Sequence, residues 1–376
     1  MTLREAGWGS TLSSLVKPRL WALLHGRTPL AAQPPADLFG SRRAQSLTRP
    51  LPPVPLVLFA DAARCASKSL ECFLRPLSTC PAELRLRGTA AGLGGRWSEL
   101  TAYDAIVDRA PPGPMVDAAR AAGRFSTVAL LLADMLRPSA AAAAALKATR
   151  RALEWPSRPR GLMIGLHVRG GDACTPDALS RHNRTCSDLD AYLPALRALK
   201  ETYAAADATV HVYLATDSER VAGAARRLER RGGDGFRWLL RSDARRSWKR
   251  LRERDLNSMP QIEQQIKLGM VDGYRDALDA MVDVLLLAEC DALVGKFSSN
   301  IDRIAYSLMS VRRGGGGGAR VCLPPYISTD HPWCSDYSKK IPLTPLPPQP
   351  FGRDKAVVNA AMGRDAATMV VGGFLC

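Results

Sequence analysis

Gly165-Leu166-His167-Val168-Arg169-Gly170-Gly171-Asp172 is the stretch on which the reading of this sequence turns. The apolar run Leu162–Val168 is too short for a helix and is bounded by glycines, the pattern of a strand buried on both faces. An arginine directly past such a strand, followed by two glycines, presents a guanidinium at the sheet edge with little around it. Its planar fork suits bidentate binding of phosphate oxygens. The same Arg169 also reads as a surface-turn residue paired with Asp172.

Working outward, the pattern becomes regular. Asp188–Ala205 carries Leu189, Tyr192, Leu193, Leu196, Leu199 and Tyr203 at helical spacing. Thr209–Thr216 is a strand with β-branched residues. A basic helix follows over Ser218–Arg231, then a strand at Phe236–Leu240, an apolar helix over Tyr274–Ala288, a strand at Ala292–Phe297 and a helix over Ile301–Val311. On the amino-terminal side, residues 126–154 read as helical with a break at Pro138. Alternating strands and helices predict a parallel sheet covered on both faces, with ligands at the carboxyl ends of the strands.

Two further strand ends stand out. In Ala215-Thr216-Asp217-Ser218, Asp217 can bind a sugar hydroxyl or orient Arg169, and Thr216 or Asp217 can equally cap the next helix. In Gly295-Lys296-Phe297-Ser298-Ser299-Asn300, a strand runs straight into a helix, whose free amides and added hydroxyls favour a phosphate. Asp283 lies among Met281, Val282, Val284 and Leu285, where burial requires a partner. A guanidinium, a carboxylate and a helix N-terminus at one sheet edge match a nucleotide diphosphate better than a free metal. Asp188-Leu189-Asp190 is the one DxD, read as the acidic first turn of a helix. There is no Walker motif and no G-x-G-x-x-G after a strand, so an ATPase or a dehydrogenase is not indicated.

The 376 residues suggest two or three domains, and 46% hydrophobic with 23% charged residues is the composition of a chain that builds a core. The best candidate for a span, Val128–Leu136, is short and contains Asp134, so no membrane span is expected. The net charge of +16 rests on ten Lys and 42 Arg. Arg, Ala and Gly run high together, which points to a coding bias, and no nucleic-acid-binding motif accompanies the charge. The nine cysteines form no CxxC pair, which argues against zinc. Cys174 and Cys186 bracket one loop and Cys322 and Cys334 another, a pattern of disulfides in an oxidising compartment. The sequon Asn183-Arg184-Thr185 falls inside the first loop. The chain divides into a poorly ordered leader (1–50), an amino-terminal α/β domain (51–160), a Rossmann-like domain (161–340) and a Pro-rich tail (341–376).

The quoted stretches, in this order, resemble the α-1,6-fucosyltransferase family, enzymes of the N-glycan core, with its rhizobial and protein O-fucosyltransferase relatives. Leu136-Arg137-Pro138, Ile164-Gly165-Leu166-His167-Val168-Arg169, Val212-Tyr213-Leu214-Ala215-Thr216-Asp217, and Asp283 through Phe297-Ser298-Ser299 to Arg303-Ile304-Ala305-Tyr306 carry the resemblance, across about half of the chain. It implies a GT-B-like architecture of two α/β domains, the carboxyl-terminal one Rossmann-like and binding GDP-fucose. It further implies inverting, metal-independent transfer of fucose to a glycan, with no cofactor. Carried over by position, Arg169 stabilises the departing diphosphate. His167, Asp217, Asp283, Ser298, Ser299 and Asn300 fall at the donor, and Asp177 stands where a general base is expected. The implied setting is the Golgi or another secretory lumen, with a glycan or glycoprotein acceptor. Gly170, Ala173 and Ser218 depart from the family's pattern of a second Arg, a Lys and a second Asp. A fucosyltransferase with a protein Ser/Thr or chitin-like acceptor, and a non-catalytic sugar-nucleotide binder, are the competing readings.

Overall fold

A computed structural model describes residues 103–108, 110–157, 161–174, 186–206, 208–232, 235–241, 262–314, 321–329 and 370–372, with residues 16, 19, 20, 23, 24 and 72–75. Helices α1 (Tyr103–Asp108), α2 (Pro114–Met135) and α3 (Ala140–Ala152) precede strand β1 (Met163–Val168). Then come α4 (Leu193–Tyr203), β2 (Val210–Thr216), α5 (Glu219–Arg230), β3 (Phe236–Leu240), α6 (Ile262–Lys267), α7 (Gly273–Leu287), β4 (Ala292–Gly295), α8 (Asn300–Arg313), β5 (Tyr326–Ser328) and β6 (Val370–Gly372). The sheet runs β3-β2-β1-β4-β5-β6. Its first five strands are parallel and β6 pairs antiparallel at the edge.

The chain builds outward from β1 to β3 on one side and resumes at β4 on the other. The switch point therefore lies between β1 and β4, where open α/β sheets bind ligands. Every residue of β1 is buried. Ile164, Leu166 and Val168 pack with α4 and α5 in one core. Met163 belongs to the second core, with Tyr213, Ala215 and Leu293 and with residues of α2, α3, α7 and α8. The two-residue alternation of a strand thus divides the molecule into two layers. Gly165 faces α7, where an added methyl would stand 3.0 Å from Leu287 Cδ2 and 3.4 Å from Cys290 Sγ. The helix can approach the sheet because position 165 has no side chain.

The parallel sheet and its flanking helices agree with the sequence reading, and the differences have physical causes. The helix expected over Asp188–Ala205 starts as a 3-10 turn at Leu189–Ala191, and Pro194 then falls in the first turn of α4, where its missing N–H costs nothing. Helix α2 begins at Pro114, well before residue 126, and bends at Gly123, whose φ of 75° is the left-handed conformation. Strand β4 stops at Gly295, because Lys296 to Ser299 form a turn closed by the Ser299 N–H on the Lys296 carbonyl at 2.9 Å. Strands β5 and β6 were not anticipated; at three residues each they carry no readable period. Within the expected leader, Val16, Leu20 and Leu24 are helical and buried in the second core. Cys174 and Cys186 form the expected disulfide. Cys72 and Cys322 are each disulfide-bonded, to cysteines outside the described residues, whereas Cys290 is a buried free thiol.

The turn after β4 is anchored by aromatic packing. Phe297 lies 4.8 Å from the Tyr326 ring and 5.5 Å from that of Tyr306, which in turn is 4.7 Å from Tyr326. Its N–H donates to Ser328 Oγ at 3.2 Å. Phe297→Ala is expected to cost about 3–5 kcal/mol, the usual range for emptying a buried aromatic site, measured by urea denaturation.

Candidate active site

At the carboxyl edge of the sheet the strand alternation becomes chemistry. His167 and Arg169 continue the face of Met163 and Gly165, and Asp217 continues that of Tyr213 and Ala215. Arg169 Nη1 forms an ion pair with Asp217 Oδ2, and the Gly170 N–H donates to Asp217 Oδ1. The Asp217 side chain is fully buried, while that of Arg169 is 33% exposed. A carboxylate without solvent needs a partner of this kind. The guanidinium is a planar fork of five N–H donors, and the ion pair with Asp217 fixes its position.

The neighbouring strand end is locked in the same way. Thr216 Oγ1 donates to the Val168 carbonyl at 2.7 Å and accepts from the Ser218 N–H at 3.1 Å. Ser218 Oγ then caps α5 by accepting from the Val221 N–H at 3.3 Å. A methyl group at Gly170 would sit 2.7 Å from Ser218 Cβ. Any side chain at position 170 must therefore displace the cap of α5, and the small residues at 170 and 218 belong together.

On the other side of β1, Ser299 occupies the N-cap position of α8 and makes no side-chain bond to that helix. Ser298 precedes it in the turn, and Asn300 Oδ1 accepts from Arg303 Nη2. His167 is buried, with Nδ1 2.6 Å from Asp302 Oδ2 in the first turn of α8. Lys296 turns to the opposite layer, where its ammonium donates to Ser187 Oγ at 3.2 Å and lies 6.0 Å from the centre of the Tyr192 ring. The adjoining Cys186 is tied to Cys174 by the disulfide, and Cys174 follows the turn after Arg169.

Asp283 stands apart from this group. Its Oδ1 accepts from the Tyr213 hydroxyl at 2.7 Å and from Arg241 Nη1 at 3.1 Å. Arg241 also pairs with Asp279. The cluster fills the β3 side of the same edge, where Arg241 directly follows β3. Burial pushes the Tyr213 phenol well up, and the Asp283 charge pushes it further, so Tyr213 stays protonated and donates. Burial works against the Arg241 charge, yet the Asp283 and Asp279 carboxylates hold its pKa above the usual value. For Asp279, burial raises the pKa, helped by the Asp283 charge and opposed by Arg241 and Arg275, and the net shift is upward.

The structure thus brings His167, Arg169, Asp217, Ser298, Ser299 and Asn300 to the ends of β1, β2 and β4, and places Asp283 in an ion cluster beside them. Asp177 and the sequon lie outside the described residues. Asp188 pairs with Arg220 on the surface. Arg241, Gly295, Lys296 and Asp302 were not singled out from the sequence. Asp302 looked like any acidic residue in a first helical turn. Only the register Leu166↔Val294, continued by one residue, puts Gly295 beside His167.

No family model matches the chain, and no curated protein matches it. Among solved structures, NodZ α-1,6-fucosyltransferase soaked with GDP-fucose aligns with 88% of this chain and 94% of its own, at 15% identity and a TM-score of 0.44. Fucosyltransferase NodZ from Bradyrhizobium aligns with 88% and 95%, at 16% identity and a TM-score of 0.44.

The Asp279–Arg241–Asp283 cluster makes a prediction about stability. Arg241→Met leaves two buried carboxylates facing each other and is expected to cost about 3–5 kcal/mol at pH 7. Losing the cation removes the charge that lowers the Asp279 pKa, so burial and the neighbouring Asp283 raise it further in the folded state. The folded variant then binds more protons than the unfolded chain, so its stability rises as pH falls. Asp283→Asn, which leaves one cation and one carboxylate, is expected to cost less than half as much. Urea denaturation at pH 7 and pH 5 checks both.

Proposed function

We propose that the chain is an inverting, metal-independent glycosyltransferase that moves fucose from GDP-fucose to a glycan, forming an α-1,6 linkage to the core GlcNAc of an N-glycan. The observation that carries this reading is Arg169, a partly exposed guanidinium held by a buried carboxylate next to the topological switch point. The order of the three strand-end stretches in the sequence supports it.

The chemistry follows from the charges. As the bond from fucose C1 to the β-phosphate oxygen breaks, negative charge grows on the leaving diphosphate and positive charge on the sugar ring. Arg169, pre-set by Asp217, is a donor that needs no reorganisation when that charge appears, the condition under which such groups lower a barrier by several kcal/mol. The amide end of α8, with Ser298 and Ser299, offers further donors to phosphate oxygens. The acceptor hydroxyl oxygen forms the new bond to C1 from the opposite face, and its proton passes to a general base, for which we propose Asp177. Acceptor contacts are assigned to the part of the chain before residue 160. The Cys174–Cys186 disulfide supports a secretory-lumen location. Among the described residues no helix is long and apolar enough to cross a membrane.

The packing of Gly170 against Ser218 favours a second reading, a sugar-nucleotide binder without transfer, because it leaves no room for a second cation at position 170. A donor screen with and without an N-glycan acceptor separates the two. Transfer from GDP-fucose, with GDP released only when acceptor is present, is expected; tight GDP-fucose binding with no release would favour the binder. Arg169→Ala is expected to abolish transfer, and Arg169→Lys, which keeps the charge but loses the fork, to lower it about 100-fold. Transfer is expected to survive EDTA.

A further inference from the structure

His167 and Asp302 meet at the floor of this edge, with side chains only 4% and 1% exposed. A separation of 2.6 Å between Nδ1 and Oδ2 is a short, charge-assisted bond. Three elements build it. Strand β1 places His167 two residues before Arg169 on the same face. Helix α8 holds Asp302 in its first turn, where the positive end of the helix favours a carboxylate. Strand β4 supplies Gly295, at which any side chain would overlap the Asp302 carboxylate. The absence of a Cβ at position 295 is what lets Asp302 reach His167.

A carboxylate can only accept from Nδ1, so Nδ1 carries a proton and a neutral ring has its lone pair on Nε2. Among the described residues Nε2 has no hydrogen-bond partner, and it is not a fully enclosed atom. We propose that Asp302 is a positioning residue. It fixes the tautomer and orientation of His167 so that Nε2 is presented at the strand-end edge as an acceptor for a hydroxyl or N–H of the bound nucleotide sugar. Gly295 is part of the same device, since it alone makes room for the carboxylate. The donor contact rests on the function proposed above, whereas the hold of Asp302 on His167 does not.

The test has two arms. In the ligand-free protein, long-range ¹H–¹⁵N spectra of labelled histidine are expected to show His167 as the Nδ1–H tautomer. Asp302→Ala is expected to shift it to Nε2–H. Gly295→Ala, which displaces the carboxylate with both partners intact, is expected to do the same and serves where Asp302→Ala does not fold. In the binding arm, calorimetry with GDP and GDP-fucose is expected to show about tenfold weaker binding for His167→Ala and for Asp302→Ala. The double variant is expected to be no weaker than His167→Ala alone, the non-additivity of residues that act as a unit. A tautomer indifferent to both substitutions, or losses that multiply to about 100-fold, would overturn the proposal, because Asp302 would then act on the fold and not through His167. If the wild type binds neither GDP nor GDP-fucose, the functional reading fails and so does the proposed donor contact, while the spectra still decide whether Asp302 sets the tautomer.

Discussion

Everything at the candidate site depends on β1 being buried on both faces. Its hydrogen bonds to β2 and β4 fix its height, and the alternation of its side chains fixes what each layer receives. Leu166 and Val168 go to the α4–α5 layer. His167 and Arg169 go to the α7–α8 side, where the carboxylates are. A slip of one residue in register would exchange these sets, burying Arg169 among leucines and presenting Val168 at the edge. The apolar packing of β1 is therefore also what aims its polar end.

The carboxylates on that side follow one pattern. Asp217, Asp302 and Asp283 are buried, and each meets a basic or hydrogen-bonding partner on a different element. Buried ion pairs are a poor source of net stability, since desolvation offsets most of the attraction. Their value lies in geometry. Asp217 joins β2 to the end of β1, Asp302 joins α8 to β1, and Asp283 joins α7 to β2 and to the residue after β3. The side chains that line the edge are thereby held relative to one another by bonds with direction, which apolar packing alone does not provide.

Much of this was legible from local pattern and the rest was not. Phe236–Leu240 was located to the residue, and β1, β2 and α7 to within one at each end, because apolar runs and periods are local signals. Arg169, Asp217 and the Ser298–Asn300 turn were found because each directly follows a strand. Asp302 was missed because its partner is 135 residues away and nothing near it in sequence marks a histidine. Arg241 was missed for the same reason, being 38 and 42 residues from Asp279 and Asp283. Asp283 itself was read as a carboxylate needing a partner; its partners Arg241 and Tyr213 lie 42 and 70 residues away in sequence, beyond the reach of local pattern. Gly170 read as leaving space around Arg169, yet it is packed closely against Ser218.

Among the described residues, several arginines divide by sheet edge. At the amino edge, α3 and α8 end in Arg150, Arg151, Arg312 and Arg313, where cations suit the negative ends of helices. There Arg150 and Arg312 share Glu289, and Arg313 pairs with Asp291. A groove of about 460 Å³ opens among Arg150, Arg151, Trp155, Glu289 and Arg312, and helix termini account for its charge. The carboxyl edge is the reverse. Helices α5, α7 and α8 begin there, so their positive ends favour carboxylates, and Asp217, Asp272 and Asp302 lie at or beside those termini. Arg169, Arg241 and Lys296 are at this same edge, against the helix field. Cations are costly there unless anions hold them, and carboxylates do so for Arg169 and Arg241. Arg169 and Arg241 both stand against the helix field at this edge and both are held by buried carboxylates; they differ in exposure, the Arg169 side chain being 33% exposed and that of Arg241 6%.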